Sequence, residues 1–246
     1  MPSAPQQPPD PLFSGGRATS TRSNHAPTDF LGQLPAAERS ALMQLARTRR
    51  LARGAFVFRV GDAKRGVHLL LEGRLKFFRM TPEGREVILW FCFPGELFGV
   101  SEVPAAKGRR INVVASEDCI VATVSDAAFN RFLDAHPRAG RLCRRTMAAR
   151  LGMLANMLVA QVADDAFARV AKLVFHLGAQ HGELSDGRIR LPIRLTHQDL
   201  ASMAGVNRQT VTRILGELRR QGVLALARGG IAILDNDRLR RAVQCE

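Results

Sequence analysis

The chain has 246 residues, with 36 lysines and arginines against 22 aspartates and glutamates, so its formal charge is +14. This excess of positive charge favours a polyanionic partner and disfavours a cationic one. Apolar residues make up 46% of the chain, too many for a wholly disordered protein and enough for a folded core. The length predicts one large domain or two small ones.

Further features disfavour a secreted, membrane or metal-binding protein. The first seventeen residues lack the apolar segment of a secretory signal. The apolar stretch 151–163 is shorter than the ~20 residues that a membrane span needs. The four cysteines form no CxxC pair, which disfavours a disulfide scaffold and a compact zinc site. We therefore expect a cytoplasmic protein with no membrane partner and no bound metal.

Composition and hydrophobic pattern divide the chain into four segments, 1–28, 29–135, 136–163 and 164–246. The first is rich in Pro, Ser, Gln and Thr without a helical or strand period, and is predicted to be a disordered tail. The second begins with a helix, opened by Thr28-Asp29 or by Pro35, and continues as apolar runs between glycine turns. The runs are AFVFRV, VHLLLEG, RLKFFRM, REVILWFCF, INVVAS and CIVATVS. Their regular spacing predicts an antiparallel barrel or sandwich.

A short helix capped by Asp126 and a long helix from Pro137 are predicted next. Apolar side chains recur along the long helix at steps of four, three and four residues, which is the spacing of a coiled-coil seam. They are Met147, Leu151, Leu154 and Leu158. Because two heptads are a short seam, packing of this helix on its own domain is an alternative to a dimer interface.

The last segment contains the most specific motif. Thr196 and Asp199 form a variant of the capping box, so a helix is predicted to start at the next residue after Thr196. Gly205 is expected to end that helix in the left-handed conformation, and Asn207 to cap a second helix. Two short helices joined by a tight turn form a helix-turn-helix. A loop is expected before it, over residues 182–187.

The exposed side of the second helix carries side chains that suit the edges of base pairs. An arginine can fork onto guanine, a glutamine can pair with adenine, and a threonine can contact the methyl group of thymine. A histidine at the start of the first helix is expected beside a phosphate. A helical hairpin with a solvated basic face is the alternative interpretation. The predicted DNA-binding residues are His197, Asn207, Arg208, Gln209, Thr212 and Arg213.

A glycine-rich hairpin, VLALARGGIAILD, follows the second helix. With Arg228, Gly229 and Gly230 at its tip, it is predicted to be a wing that touches the DNA backbone. Residues 166–246 hold thirteen basic and seven acidic residues, a net charge of +6, whereas residues 55–135 carry only +1. Double-stranded DNA contacted by the C-terminal segment is therefore the favoured polyanion.

The order of these parts resembles the cyclic-AMP receptor/fumarate–nitrate regulator (Crp/Fnr) superfamily over residues 36–243. The resemblance rests on the sequences PEGREVIL and RQTVTRIL, on Arg150-Leu151, and on the glycines Gly61, Gly73, Gly84 and Gly99. It implies an α+β fold, with a jelly-roll-like antiparallel β-roll sensor, a long dimerisation helix and a C-terminal winged helix-turn-helix. It also implies a homodimeric bacterial transcription regulator that binds a palindromic operator and contacts RNA polymerase.

The effector pocket departs from the pattern of the cyclic-nucleotide binders in this family. There, the loop after the counterpart of Gly99 supplies a glutamate for the ribose, and an Arg-Ser pair holds the cyclic phosphate. Here Val100 replaces the glutamate, and Ile111 replaces the serine. The arginine is Arg110, or Arg109 if the loop shifts by one residue.

Two polar residues of the long helix that meet adenine correspond here to Leu154 and Ala155. Since a buried polar group without its partner costs ~1–3 kcal/mol, we expect weak cyclic-AMP binding or none. Arg150 is a further candidate, with a surface or inter-subunit ion pair as its structural alternative. The candidate effector-binding residues are Gly99, Val100, Arg109, Arg110, Ile111, Arg150, Leu154 and Ala155.

Other effectors stay open as alternatives. No cysteine precedes Cys92, which disfavours an iron–sulfur cluster. A haem is also disfavoured, with His68, Cys92 or Met80 as its candidate ligands. Cyclic di-GMP, with its phosphates bound by Arg109, Arg110 or Arg150, is one alternative. A regulator without an effector, controlled by its abundance or by a thiol, is another.

Two other classes of protein compete with a DNA-binding regulator. A cyclic-nucleotide-type sensor without a direct DNA role is the first, and the helix-turn-helix counts against it. An enzyme is the second, and the chain has no GxSxG, HExxH or Walker A motif, so we assign no catalytic residue. In a regulator, residues 163–165 would form the hinge between the long helix and the DNA-binding segment.

Overall fold

The computed structural model describes residues 28–100, 108–185, 187–191, 195–227 and 230–244. The chain divides into two compact units, with the boundary between Val162 and Ala163. Nearly all of the predicted tail lies outside the described residues, as do Arg228 and Gly229 of the predicted wing tip.

The first unit begins with two short helices, α1 (Phe30–Gln33) and α2 (Ala36–Gln44). Both expected start signals are used, because Asp29 caps α1 by accepting a hydrogen bond from the Gly32 amide and Pro35 directly precedes α2. The strands that follow are β1 (Arg47–Leu51), β2 (Phe56–Phe58), β3 (Val67–Glu72), β4 (Leu75–Met80), β5 (Glu86–Cys92), β6 (Leu97–Phe98), β7 (Asn112–Ala115) and β8 (Cys119–Val124).

The eight strands form two antiparallel sheets, in the orders β1-β8-β3-β6 and β2-β7-β4-β5. All six apolar runs are strands, so the expected β-roll is confirmed. Two strands were missed. The first four residues of β1 are exposed and mostly charged, and β6 has only two residues.

Two helices complete the first unit, α3 (Asp126–Ala135) and α4 (Pro137–Ala163). The cap of α3 is Ser125 and not Asp126 as predicted, since the Ser125 hydroxyl accepts a hydrogen bond from the Ala128 amide. Phe30, Leu42 and Phe129 belong to the apolar cluster that joins these helices to the roll.

The two halves of α4 differ in what they contact. Its first half is buried on the β-roll through Ala139, Leu142, Cys143, Thr146 and Arg150. Its second half exposes large apolar side chains, and these are Leu151, Leu158, Val159 and Val162. Among the described helices, α4 alone is long and apolar enough to cross a membrane by length and composition. The expectation considered residues 151–163 alone, and α4 extends well beyond them toward the N-terminus.

The described part of the second unit contains four helices and one four-stranded antiparallel sheet in the order β11-β12-β10-β9. Its elements are α5 (Ala166–His181), β9 (Glu183–Ser185), β10 (Arg188–Arg190), α6 (His197–Ala204), α7 (Arg208–Arg220), β11 (Leu224–Ala227), β12 (Gly230–Ile233) and α8 (Asn236–Gln244). The predicted loop 182–187 was wrong in part, because β9 lies inside it and pairs with β10. The C-terminal helix α8 was not predicted.

Candidate nucleic-acid interface and effector pocket

Local capping signals set the geometry of the helix pair α6–α7. The Thr196 hydroxyl accepts from the Asp199 amide at 3.0 Å, and the Asp199 carboxylate accepts from the Thr196 amide at 2.9 Å. The expected capping box is therefore confirmed. Gly205 ends α6 in the left-handed region at φ 66°, a conformation that favours glycine. Asn207 caps α7 by accepting from the Thr210 amide at 2.7 Å.

One face of each helix is buried in the core of the second unit. The residues in this core are Leu200, Ala201 and Ala204 on α6, and Val211, Ile214, Leu215 and Leu218 on α7. The opposite side of α7 exposes the four predicted base-contacting residues, Arg208, Gln209, Thr212 and Arg213. Because the core and the exposed side use different residues, the exposed side chains are available to a partner without disturbing the fold.

The two helices are also joined by polar contacts on the exposed side. His197 Nδ1 lies 2.8 Å from Thr212 Oγ1, so the histidine is held against α7. Arg213 lies 3.9 Å from Glu217, one helical turn later. Asn207 is exposed, whereas His197 is half-buried. The structure thus brings all six predicted DNA-binding residues to α7 or to the adjoining end of α6.

Arg169, on α5, was missed by sequence reasoning. Its Nε donates to the Ala204 carbonyl at the end of α6 at 3.0 Å, and its Nη1 donates to the Asp164 carbonyl at 2.8 Å. Lys172 adds an ion pair of 2.6 Å to the Asp164 carboxylate. These contacts fix the residues at the start of the second unit to the helix pair. No spacing or motif marks Arg169, because its partners are backbone carbonyls.

The predicted effector pocket is almost filled by the protein's own side chains. A cavity of about 10 Å³ remains, lined by Phe58, Phe77, Trp90, Phe98, Gly99, Val100, Ile111, Met147 and Arg150. Phe77 and Trp90 stack with ring centroids 4.6 Å apart. Such a volume holds about one water molecule, whereas ligand pockets measure about 300–1,000 Å³. Leu154 and Ala155 do not line this cavity.

Arg109, not Arg110, points into the β-roll. Arg109 is 2% exposed, and Arg110 is exposed to solvent. The Arg109 guanidinium stacks on Phe58, donates to the Gly66 carbonyl at 3.0 Å, and lies 3.1 Å from His68 Nε2. With Arg65 it lines a second cavity of about 330 Å³.

His68 is held as a neutral hydrogen-bonding ring. Burial, and then the charges of Arg109 and Arg49, lower the pKa of His68 to about 3. Its Nε2 faces the Arg109 donor, and its Nδ1 lies 2.9 Å from the Thr123 hydroxyl. Since both ring nitrogens are engaged, His68 is poorly placed to ligate a haem iron. Gly99 lies directly against His68 and Arg109, since a Cβ atom added at Gly99 would be 3.1 Å from each of these two side chains.

Arg150 ties α4 to the β-roll through a buried ion pair. Its Nη2 lies 3.1 Å from Glu96 Oε2, and its Nη1 donates to the Leu97 carbonyl at 3.0 Å. Glu96 is 3% exposed and also accepts from the Thr28 hydroxyl at 2.6 Å. Burial raises the pKa of Glu96, and the Arg150 charge opposes that shift. The guanidinium therefore already has a partner, in a buried pair within the subunit and not in the surface or inter-subunit pair expected as the alternative to an effector contact.

The described cysteines do not have the character of reactive thiols. Cys92, Cys119 and Cys143 are buried. Burial raises the pKa of each thiol, and that of Cys92 by the most. A reactive cysteine needs a lowered pKa and access to solvent, so this environment disfavours a thiol switch at these three residues.

Comparison with known proteins supports the same two functional parts. The cyclic nucleotide-binding domain model matches residues 48–136, and the Crp-like helix-turn-helix domain model matches residues 168–242. A cyclic AMP receptor protein of Thermus thermophilus is 31% identical over 185 residues, which cover 73% of this chain and 80% of that protein. The chain belongs to the Crp/Fnr family.

Other Crp/Fnr relatives extend over most of the chain. The nitrogen fixation regulation protein FixK of Bradyrhizobium diazoefficiens is 27% identical over 207 residues, covering 84% of this chain and 86% of that protein. The structure of a CooA mutant from Carboxydothermus hydrogenoformans has a TM-score of 0.76 at 21% identity, and covers 90% of this chain and 99% of that chain. The predicted fold class is thus confirmed. Within the described residues of this Crp/Fnr protein, no three His, Cys, Asp or Glu side chains form a metal site.

Proposed function

We propose that this protein binds a palindromic operator as a homodimer, with α7 of each subunit in the major groove. The observation that carries the proposal is the exposed side of α7, where Arg208, Gln209, Thr212 and Arg213 project from a helix whose other side is core. Helices of this kind place their N-terminal residues on base edges, and a dimer spaces two of them one DNA turn apart. We also propose a cytoplasmic location, RNA polymerase as a further partner, and no catalytic role.

The second half of α4 supports the dimer. Leu151 and Leu158 are one heptad apart and are 69% and 67% exposed. Val159 and Val162 widen this apolar strip, and they are 63% and 84% exposed. Met147 is half-buried against the roll and lines its small cavity, so that end of the predicted seam also packs within the subunit. We assign the interface mainly to the residues after Arg150.

The test of this proposal is selection of bound duplexes from a randomised DNA pool. We expect an inverted repeat whose half-site has guanine opposite Arg208 or Arg213 and adenine opposite Gln209. The Gln209→Glu variant should shift that adenine preference toward cytosine, because a carboxylate accepts from the cytosine amino group. A pool that shows no enriched sequence, or a half-site unchanged by Gln209→Glu, would contradict the assignment.

For the sensor, we propose a regulator that binds its operator without a nucleotide. In support, the aromatic side chains around Trp90 leave a cavity of only about 10 Å³, and Arg150 is already paired with Glu96. We expect ligand-stripped protein to bind the selected operator, and added cyclic AMP or cyclic di-GMP to leave its affinity unchanged. Isothermal titration should show no micromolar affinity for cyclic AMP. Operator binding that requires either nucleotide would overturn this proposal and assign the second cavity, beside Arg109, as the place to search.

A further inference from the structure

The hydroxyl group of Thr212 is held by two hydrogen bonds within the protein. Its oxygen donates to the Arg208 carbonyl at 3.0 Å and lies 2.8 Å from His197 Nδ1. We infer that His197 is a positioning residue, which fixes Thr212 so that its methyl group and not its hydroxyl faces a thymine in the major groove. The inference rests on the proposed function, since it assigns the base contact made by one residue of α7.

The number of available hydrogen atoms determines which group donates in each of the two hydrogen bonds of Thr212. A threonine hydroxyl has one hydrogen, and the Arg208 carbonyl can only accept it. His197 Nδ1 must therefore carry a hydrogen and donate it to Thr212. This donation persists when the ring is protonated, because Nε2 takes the added proton. The Thr212 hydroxyl consequently has no hydrogen left for the acceptors of guanine, adenine or thymine.

His197 selects one conformation of the Thr212 side chain. In helices, threonine divides between two χ1 rotamers, because its hydroxyl can bond to a carbonyl of the preceding turn from either. A donor on α6 favours the rotamer in which the hydroxyl points toward α6 and the Arg208 carbonyl. The side chain as a whole is exposed, so the methyl group is the part left for a partner.

Thymine is the base that matches this chemistry. Its C5-methyl is the apolar group that distinguishes it in the major groove, and threonine methyl groups contact it. Burying one methyl group corresponds to about a fourfold change in affinity. The other role open to His197 is the phosphate contact predicted from the sequence, which would affect every DNA sequence equally.

The experiment replaces each thymine of the selected operator in turn by deoxyuridine, in both half-sites. Deoxyuridine removes only the C5-methyl. At one position, the unmodified protein should bind the thymine duplex about fourfold more tightly per half-site than the deoxyuridine duplex. Binding is measured by fluorescence anisotropy with the full-length protein, and thermal unfolding checks that each variant is folded.

Four variants test whether His197 acts by positioning Thr212 or by contacting the DNA itself. Thr212→Ser keeps the hydroxyl and lacks the methyl, so its thymine-to-deoxyuridine ratio should fall to about one. His197→Ala should lower the ratio in the same way, and His197→Ala combined with Thr212→Val should restore it, because valine presents methyl groups from either rotamer. Gln198→Ala is the matched control, since Gln198 is exposed on the same turn and bonds only within α6.

Two results would overturn the inference. In the first, His197→Ala weakens binding to the thymine and deoxyuridine duplexes equally, so the ratio of the two affinities is unchanged. The slope of log affinity against log salt concentration would then fall by about one, as for the loss of a phosphate contact. In the second, the unmodified protein does not discriminate deoxyuridine at any thymine. Failure to select any operator is a different outcome, because it would contradict the proposed function itself.

Discussion

Replacing Arg150 with methionine is expected to destabilise the β-roll by about 3–5 kcal/mol at neutral pH. Methionine keeps most of the volume of the side chain but removes the charge that balances Glu96. Glu96 is 3% exposed, so water cannot replace the lost partner. The Leu97 carbonyl also loses its donor. Removing one member of a buried pair is costly for this reason, even where the intact pair contributes little.

The destabilisation caused by Arg150→Met should become smaller as the pH falls. Burial already raises the folded-state pKa of Glu96 above its ordinary value of 4.5, and Arg150 restrains that shift. Without Arg150 the folded pKa rises further. A carboxyl with a raised folded pKa gives its full stability below the unfolded pKa, and that stability is lost as the pH rises through the folded pKa. The deficit of Arg150→Met should therefore be largest at neutral pH and smallest near the unfolded pKa.

Urea unfolding followed by tryptophan fluorescence measures this effect directly. Trp90 is the single tryptophan of the chain and lies in the β-roll, 5.3 Å from the Arg150 guanidinium. The double variant Glu96→Gln with Arg150→Met is the control, since it removes both charges of this pair and should recover much of the loss. An equal loss in the double variant, or a loss that does not depend on pH, would contradict the ion-pair explanation.

Replacing Arg213 with alanine should cost about 1–3 kcal/mol of operator binding and relax specificity at one base pair. Arg213 is exposed on α7, and its guanidinium lies 3.9 Å from the Glu217 carboxylate on the same side of the helix. A guanidinium that forks onto guanine contacts two acceptors of one base, so its loss affects that base pair more than the others. The fold should be unaffected, because the buried side of α7 uses other residues.

The measurement compares operators that carry each of the four base pairs opposite Arg213. For the variant, the four affinities should converge. Arg219→Ala is a matched control, because Arg219 is exposed on the same helix but lies in its last turn, away from the N-terminal end that contacts bases. Its effect should be the same for all four operators. Equal weakening of all four by Arg213→Ala would mean that Arg213 contacts phosphate instead.

The helix-turn-helix could be predicted from sequence because its determinants are local. Thr196 and Asp199 are three residues apart and cap one helix, and Gly205 and Asn207 end that helix and start the next. Each signal acts within one helical turn, so neighbouring residues suffice to find it. The strands of the β-roll were found for a similar reason, since their apolar residues occur in runs between turns.

The filled pocket could not be predicted in this way. The Arg150–Glu96 pair joins residues 54 positions apart, and the Phe77–Trp90 stack joins two strands. Val100 and Ile111 stand where the resemblance expects polar residues, which is visible in the sequence, whereas the aromatic rings that pack near them are apparent only in the fold. Nor could the sequence distinguish Arg109 from Arg110, because the two arginines are neighbours and only the folded chain shows which one is buried.

Strand β1 was missed because three of its first four residues are arginines, and this composition has a further consequence. Among the described strands, β1 is the terminal strand of its sheet, so one of its edges has no neighbouring strand there. Such an edge can pair with the same edge of another molecule and start aggregation, and charged side chains oppose this. Arg47, Arg49 and Arg50 would bring like charges together in any such pairing. We therefore expect these arginines to oppose edge-to-edge aggregation of the β-roll, so that the association proposed for α4 meets no competing contact at this edge.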